Sequence, residues 1–251
     1  MKRVKDTGYD GIEACIPDHV RERDSLLNGM AKYGLNLIAQ HCETVSGEFS
    51  NHLQQYEFHL SRIAALQPLF INSQTGKDYF TFQQNVQLIE LARDISNTTG
   101  VPVYHETHRG KFSFAAHVTH QYLELLPHLN LTLDISHWFA VAESFLEDQS
   151  QAVATALPRS FHIHARVGHT QGPQVTDPRA REWEDTMQQH LQYWDRIVTL
   201  HKQSHRKLLT ITPEFGPLPY MPSLPYTRQP IADQWEINSY MRKLLKRRYG
   251  A

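Results

Sequence analysis

The chain has 251 residues, of which 40% are hydrophobic and 20% are charged, and its formal net charge is −1. This length suits one large α/β domain, because α/β barrels have about 250 residues, and we predict a single domain over residues 1–251. The near-neutral charge offers no basic surface for a polyanion, so the composition argues against nucleic-acid binding.

Short runs rich in Val, Ile, Leu and Phe alternate along the chain with longer segments of helical period. The predicted strands cover 9–16, 35–41, 68–76, 101–107, 129–136, 160–166 and 207–215. The predicted helices cover 24–34, 53–67, 81–100, 115–128, 143–157, 182–204 and 232–248. Such alternation is typical of βαβ units in a parallel sheet. No Gly-x-Gly-x-x-Gly follows a strand, which argues against a dinucleotide-binding fold. We therefore predict an α/β fold, a (β/α)₈ TIM barrel.

The first strand of this barrel is missing from the pattern. Residues 1–8 resemble the last turns of a helix closed by Gly8. An incomplete barrel leaves an open seam, and a second copy of the chain could cover that edge as a homodimer, since exposed edge strands invite pairing. The alternative is that the true start lies upstream of Met1.

Targeting and redox signals favour a cytoplasmic protein. Cys15 and Cys42 form no spacing motif, so a reduced intracellular chain is the simplest interpretation. No apolar run approaches the roughly 18 residues that cross a bilayer, and the polar start lacks the apolar core of a signal peptide. We expect no membrane partner.

Four predicted strands carry Glu, Asp or His near their carboxyl ends, where barrels build their active sites. Side chains alternate along a strand with period two, so each of these groups shares a face with its neighbours two positions away. The shared faces are Tyr104, Glu106 and His108; Thr132, Asp134 and Ser136; His162, His164 and Arg166; and Thr210, Thr212 and Glu214. If those faces point inward, Glu106, Asp134, His164 and Glu214 converge near the barrel mouth.

Three carboxylates brought together repel one another, and a divalent cation removes that penalty. Carboxylate oxygens with one imidazole form a mixed donor set that suits Mn²⁺, Mg²⁺, Co²⁺ or Zn²⁺. We predict one divalent metal ion, with Mn²⁺ or Zn²⁺ favoured, held by Glu106, Asp134, His164 and Glu214. Taken singly, each residue has a structural alternative, since an Asp or Glu at a strand end often caps the next helix.

Several of these segments together resemble the xylose isomerase-like TIM-barrel superfamily. The segments are "GYDGIE" at 8–13, "DISH" at 134–137 and "HIH" at 162–164, with the strand-end carboxylates. This superfamily includes sugar isomerases and epimerases, inosose dehydratases and endonuclease IV-type enzymes (AP endonuclease family 2). The resemblance implies that Glu106, Asp134, His164 and Glu214 hold the metal, that His137 contacts substrate, and that "GYDGIE" belongs to the second strand of the barrel.

The chain departs from the epimerase pattern beside the predicted metal site. Epimerases of this group follow His-x-His with a Glu and then an Arg, whereas residues 165–175 offer Arg166 and no acidic residue. The neutral charge also separates the chain from the endonuclease branch, which has a basic surface facing DNA. The substrate is therefore left open by the sequence.

The implied function is a metal-dependent sugar isomerase or epimerase that moves a proton beside a carbonyl through an ene-diolate. Glu106 and Glu214 are the predicted acid–base pair. Predicted substrate contacts are His137, Arg166, His108, His162, Asn72 and Gln74. Arg166 has the equal alternative of holding Glu106 or Glu214 in place.

The loop at 216–230 is rich in proline and offers few N–H groups for a phosphate, which favours an unphosphorylated sugar, polyol or keto-acid. The long loop at 167–182 is expected to cover the site. Two other functions stay open: a dehydratase or hydrolase with the same ligands, and a barrel that binds a sugar or a metal without turnover.

Overall fold

The computed structural model describes residues 1–250, which form seven parallel strands alternating with helices. The strands are β1 (Gly11–Cys15), β2 (Asn36–His41), β3 (Ile71–Ser73), β4 (Val103–Glu106), β5 (Leu131–Leu133), β6 (Ser160–Ala165) and β7 (Thr210–Pro213). The α-helices are α1 (Lys2–Thr7), α2 (Val20–Tyr33), α3 (Phe49–Ala64), α4 (Phe82–Thr99), α5 (Ala116–Leu125), α6 (Ile135–Ala142), α7 (Ser150–Ala156), α8 (Glu184–Gln203) and α9 (Gln234–Tyr249). All seven predicted strands are confirmed, with shorter bounds.

The chain divides into two compact units. The first unit comprises Met1–Glu106, Gly110–Phe112 and His128–Asn130, and the second comprises Thr107–Arg109, Ser113–Pro127 and Leu131–Ala251. The strands of the first unit lie in the order β1-β2-β3-β4, and those of the second in the order β5-β6-β7. Every pairing within a unit is parallel, as in β1–β2, where Gly11 is opposite Asn36 and Cys15 is opposite Gln40.

This alternation of parallel strands and helices is the α/β fold of a TIM barrel, so the predicted fold class is confirmed. Within residues 1–250, helix α1 is the first element and no strand precedes β1, as the sequence pattern predicts. Helix α1 ends where predicted, at Gly8, whose φ of 88° lies in the left-handed region that favours glycine.

Helices α3 and α4 cover the strands of the first unit with apolar faces at helical spacing. On α3, Tyr56, Leu60 and Ile63 recur every three to four residues, and all are fully buried. Burying a Leu or Ile of this kind contributes about 1.5–3 kcal/mol. Helix α4 begins with a capping box, in which Thr81 and Gln84 each bond the other's backbone N–H.

The second unit buries aromatic side chains between helices α6 and α8. Phe139 on α6 packs against the His190 ring on α8 with ring centroids 4.9 Å apart. Trp194, one turn further along α8, is also fully buried. None of the helices in the described part of the chain is both long enough and apolar enough to cross a bilayer.

One segment differs from the sequence prediction. The strand predicted over 129–136 ends at Leu133, and Asp134 becomes the N-cap of α6 by accepting a hydrogen bond from the Ser136 backbone N–H at 3.0 Å. Asp134 and Ser136 therefore do not share a strand face with Thr132. Helix α6 was not predicted, and the helix predicted over 143–157 is reduced to α7. An Asp that satisfies the free N–H groups of a helix start explains the change.

Candidate functional site

In the first unit, the predicted residues surround the carboxylate of Glu106. Glu106 is the last residue of β4 and is fully buried. Its Oε2 accepts hydrogen bonds from Asn72 Nδ2 at 3.1 Å and from Gln74 Nε2 at 3.3 Å. Asn72 Nδ2 also donates to Oε1 of Glu13 on β1 at 2.8 Å. Asn72 and Gln74, predicted as substrate contacts, thus fix the orientation of Glu106 in the structure.

In the second unit, Arg166 joins the other predicted carboxylates. Arg166 follows β6 and is 3% exposed. Its Nε donates to Asp134 Oδ2 at 3.0 Å, and its Nη2 donates to Glu214 Oε1. The second oxygen of Glu214 lies 2.7 Å from Nδ1 of His164 on β6. The structure therefore brings four side chains into contact, which we call the cluster: Asp134, His164, Arg166 and Glu214.

Backbone and side-chain contacts hold Asp134 in this cluster. Thr107 Oγ1 donates to the Asp134 carbonyl at 2.9 Å and accepts from the Asp134 N–H at 2.8 Å. The Ser136 hydroxyl donates to Asp134 Oδ1 at 2.5 Å. Both oxygens of the carboxylate are therefore oriented before any ligand arrives, because Oδ1 faces the start of α6 and Oδ2 faces Arg166.

The charges in this cluster depend on one another. Complete burial raises the pKa of Asp134 above its ordinary value, and the nearby Arg166 partly opposes that rise. Burial by itself would lower the pKa of Arg166, but Glu214 and Asp134 more than offset this effect and raise the pKa. Arg166 is therefore a permanent cation in the cluster and compensates one of its two carboxylates, of which Asp134 is fully buried and Glu214 is half-buried.

His137 has one defined tautomer. Arg109 Nε donates to His137 Nδ1 at 3.2 Å, and an arginine can only donate, so Nδ1 accepts and the neutral ring carries its hydrogen on Nε2. Burial, followed by His108 and Arg166, lowers the pKa of His137 well below its ordinary value, which keeps the ring neutral. Its Nε2 lies 3.6 Å from Asp134 Oδ2 and has no hydrogen-bond partner among residues 1–250. It is a buried donor beside the cluster.

The remaining predicted contacts lie in two places. His108 lies beyond the end of β4, so it does not share a strand face with Glu106. The centroid of its ring is 4.0 Å from that of the His137 ring, and the two ring planes are tilted by 48°. His162, on β6, faces β7, where its Nδ1 lies 2.6 Å from Thr210 Oγ1 and its Nε2 lies 3.2 Å from Thr212 Oγ1. His108 is thus close to the cluster residues, whereas both ring nitrogens of His162 contact the neighbouring strand.

The donor chemistry of the second unit fits a divalent ion. One ring nitrogen of His164 and one oxygen of Asp134 lie within 4.8 Å of each other, and Glu214 Oε2 is beside the same ring. Two carboxylates and an imidazole are a donor set that Mn²⁺ and Zn²⁺ both accept. Arg166 occupies one lone pair on each carboxylate, which leaves further lone pairs for an ion. This grouping could therefore hold a metal.

Sequence reasoning missed several residues that shape the site. Gln174, in the loop predicted to cover the site, accepts from Arg166 Nη1 at 3.0 Å and from the Gly216 N–H at 2.7 Å. Tyr220 lies with its ring 4.2 Å from the Arg166 guanidinium and its hydroxyl 3.2 Å from His108 Nε2. Arg109 and Thr107 were also missed. Arg109 and Thr107 adjoin the predicted His108, so their positions offered a signal; Gln174 and Tyr220 lie in loops and offered none.

The fold and the site define the class of the molecule: a TIM barrel with an Asp, a His and a Glu gathered near strand ends. No protein-family model matches the chain, and no curated protein matches it. Solved structures, in contrast, match the chain. The apo crystal structure of the 3-keto-D-glucoside 4-epimerase YcjR from E. coli has a TM-score of 0.60 at 15% sequence identity, covering 98% of this chain and 92% of that one.

Two dehydratases are similar over the same extent. The probable 3-DHS dehydratase AsbF from Bacillus anthracis, involved in petrobactin synthesis, has a TM-score of 0.57 at 16% identity, covering 98% of this chain and 91% of that one. Mannonate dehydratase from Streptococcus suis serotype 2 has a TM-score of 0.60 at 10% identity, covering 97% and 88%. These likenesses show the fold. They confirm the TIM-barrel fold that the sequence predicts, and no more than the fold.

Proposed function

We propose that the chain is an enzyme that uses one divalent metal ion to move a proton beside the carbonyl of a sugar-like substrate. The proposed substrate is an unphosphorylated ketose, polyol-derived ketone or keto-acid. The observation that carries the proposal is the cluster of Asp134, His164 and Glu214, in which His164 Nδ1 and Glu214 Oε2 lie 2.7 Å apart. The likeness to an epimerase of a keto-glucoside supports a substrate of this kind.

The proposed metal ligands are Asp134, His164 and Glu214 of the second unit, together with Glu106. Glu106 is included in the proposal because of its place in the sequence pattern: it ends β4, as Asp134 follows β5 and Glu214 follows β7. When bound, the ion would act as a Lewis acid toward the substrate carbonyl. Its identity is proposed as Mn²⁺ or Zn²⁺, with Mg²⁺ and Co²⁺ next, because a set of oxygens with one nitrogen suits all four.

The side chains then have distinct roles in proton transfer. Glu106 takes the proton from the carbon beside the carbonyl, and Glu214 returns it on the opposite side; general acid–base transfer of this kind contributes about 10²–10⁴-fold. His137 presents its Nε2–H to a substrate oxygen, since its tautomer is fixed by Arg109. Arg166 orients Asp134 and Glu214; the alternative predicted from the sequence named Glu106 or Glu214, and not Asp134, as the carboxylate it would hold.

Dehydration is the second candidate reaction. Two of the similar structures are dehydratases, and the chain has Arg166 near the position where the epimerase pattern has a Glu. In that reaction the same carboxylate takes the proton and can pass it to the departing hydroxyl group, which leaves as water, while His137 Nε2–H donates a hydrogen bond to that oxygen. The two candidates share their ligands and differ in whether a C–O bond breaks.

The test combines metal analysis with proton–deuterium exchange on candidate ketoses in D₂O. Bound metal with exchange and no loss of water supports the isomerase or epimerase; bound metal with loss of water supports the dehydratase. We expect Glu214→Gln to abolish formation of the product with the opposite configuration, because the amide cannot return a proton on the opposite side, whereas the exposed Glu182→Gln should leave product formation unchanged. Full product formation in Glu214→Gln would contradict the role given to Glu214, and the absence of both bound metal and turnover would indicate a binding protein.

A further inference from the structure

The two cysteines of the first unit lie side by side near the ends of neighbouring strands. Cys15 is the last residue of β1, and Cys42 follows the last residue of β2. Their Sγ atoms are 3.2 Å apart, although 27 positions separate them in the chain. A disulfide bond is about 2.05 Å long, so the sulfurs need to approach by roughly 1 Å to become bonded.

The strand pairing explains why these sulfurs meet. Cys15 is opposite Gln40 in the parallel β1–β2 register, and Cys42 follows Gln40 by two positions, on the same side of the chain. The Cys15 thiol also lies 3.7 Å from Gln40 Oε1. The contact is therefore set by the sheet register and does not depend on a chance approach of two loops.

The surroundings make this thiol pair reactive. Cys15 is exposed and Cys42 is partly exposed, so a small reagent can reach them. The hydrogen bond from the Cys15 thiol lowers the pKa of Cys42; burial and the negative charge of Glu43 oppose this effect without reversing it, and the positive charge of Lys111 adds to the lowering. A thiolate is the nucleophile in thiol–disulfide exchange, and neighbouring donors and cations favour it.

We propose that Cys15 and Cys42 are a dithiol site that reacts with low-molecular-weight disulfides to form an intramolecular disulfide. The Cys42 thiolate attacks one sulfur of oxidised glutathione, forms a mixed disulfide and releases one glutathione thiolate. Cys15 then loses its proton, and its sulfur attacks Cys42 Sγ, which breaks the mixed disulfide and releases the second glutathione. Two protein thiols are oxidised, and one glutathione disulfide is reduced to two thiols.

This site has a structural consequence at one end of the sheet. Strand β1 pairs with β2, and the sheet order places no further strand on its other side among residues 1–250. A bond from Cys15 to Cys42 would tie this terminal strand covalently to the segment that follows β2. Glu13, two positions before Cys15, bonds Asn72, so the tie would form on the strand that also carries a candidate-site contact.

The test treats the native full-length chain with oxidised glutathione, blocks residual thiols by alkylation and maps the peptides by mass spectrometry. We expect one species, in which a disulfide joins the peptides of Cys15 and Cys42. Neither cysteine should be alkylated, and neither should keep a glutathione adduct. Two alkylated thiols after treatment, a persistent glutathione adduct on the unaltered chain, or a disulfide between two chains would overturn the proposal.

Matched serine variants report the order of steps. In Cys15→Ser the resolving sulfur is gone, so the glutathione adduct on Cys42 should accumulate and persist until a reductant is added. In Cys42→Ser, adduct formation on Cys15 should be at least several-fold slower, because the favoured thiolate is lost. Equal rates in the two variants would contradict the assignment of Cys42 as the attacking group. The reaction of the unaltered chain needs no variant, so the main test does not depend on how the variants fold.

Discussion

Arg166 is the residue on which the electrostatics of the second unit depend. It is 3% exposed and contacts the carboxylates of Asp134 and Glu214, of which Asp134 is fully buried. A buried ion pair contributes little net stability when compared with an apolar replacement of both partners, but removal of one partner leaves a buried charge without compensation. A divalent ion bound to the same carboxylates would supply part of that compensation.

We therefore predict that Arg166→Met lowers the free energy of unfolding by about 3–5 kcal/mol at neutral pH. Added Mn²⁺ or Zn²⁺ should restore more stability to this variant than to the unaltered chain, because the carboxylates have then lost their competing cation. Urea unfolding with and without the ion measures both effects. The control is Arg179→Met, at the surface pair of Arg179 with Asp177, where the loss should be about 0–1 kcal/mol.

A loss below about 1 kcal/mol in Arg166→Met would show that the carboxylates of Asp134 and Glu214 do not need a cation. Equal stabilisation of both proteins by the ion would show that Arg166 and the ion do not compete. Either result would require another account of how Asp134 remains charged in a site that raises its pKa.

At the scale of secondary-structure elements, side-chain caps define where helices begin, and thereby how the loop from the preceding strand ends. Helix α4 begins at a Thr81–Gln84 capping box, and α9 begins where Asp233 accepts from the Glu236 N–H at 2.8 Å. These caps satisfy N–H groups that the first turn of a helix leaves without an intrahelical acceptor. The helix that follows a strand thereby begins at a defined residue, which fixes the loop between them.

The capping box of α4 gives a direct stability prediction. Thr81→Ala removes the acceptor for the Gln84 N–H, and we expect the free energy of unfolding to fall by about 1 kcal/mol. The control is Thr98→Ala, at an exposed position in the last turn of α4. This substitution should be neutral or slightly stabilising, because alanine is the better helix former. Chemical denaturation of both variants measures the change in the free energy of unfolding. An equal loss of stability in the two variants would contradict the role of Thr81 as a cap.

The first unit also contains a buried network of polar side chains that joins four elements, α3, β2, β3 and β4. Tyr56 on α3 bonds Ser73 at 3.1 Å and Thr75 at 2.9 Å, and Thr75 Oγ1 lies 2.7 Å from His105 Nδ1 on β4. His41 on β2 bonds Ser73 at 3.1 Å. This network fixes the carboxyl end of β3, and Asn72 and Gln74, which bond Glu106, lie at that end. Fully satisfied buried networks of this kind specify one packing arrangement.

For the whole molecule, the buried histidines predict how stability depends on pH. Burial lowers the pKa of His41 and of His105 to about 3, and that of His190 to about 4, from an ordinary value of 6.5. The unfolded chain binds these protons as the pH falls below 6.5, whereas the folded chain does not. Stability is therefore greatest above pH 6.5 and declines as the pH falls from 6.5 toward 4.

Each such histidine adds a slope of up to about 1.4 kcal/mol per pH unit in this window, so we expect these three, together with other buried histidines of lowered pKa such as His137, to cause a steep decline. His105→Gln should flatten the slope between pH 6 and 4 by up to about 1.4 kcal/mol per pH unit, since one titration is removed. The exposed His117→Gln is the control and should leave the slope unchanged. Urea unfolding measured across this pH range tests the prediction, and a slope that is equal in both variants would contradict it.

The sequence by itself determined the alternation of elements and the residue types of the site. The periods of 2 and 3.6, the caps and the glycine at position 8 depend on neighbours close in the chain, so they predicted seven strands, a TIM-barrel fold and the absent first strand. Asp134, His164 and Glu214 were identified because they lie at or near the carboxyl ends of predicted strands, and the ends of parallel strands lie on one side of a sheet.

Tertiary structure alone decided what each of these side chains contacts. The capping role of Asp134 shortened β5, because a helix start supplied N–H groups that a strand pattern cannot reveal. Arg166, Gln174 and Tyr220 meet through loops with no period of their own, and the sulfurs of Cys15 and Cys42 meet through a strand register. Contacts between distant segments depend on packing over the whole unit, whereas local periodicity is set by steric and hydrogen-bonding rules within a few residues.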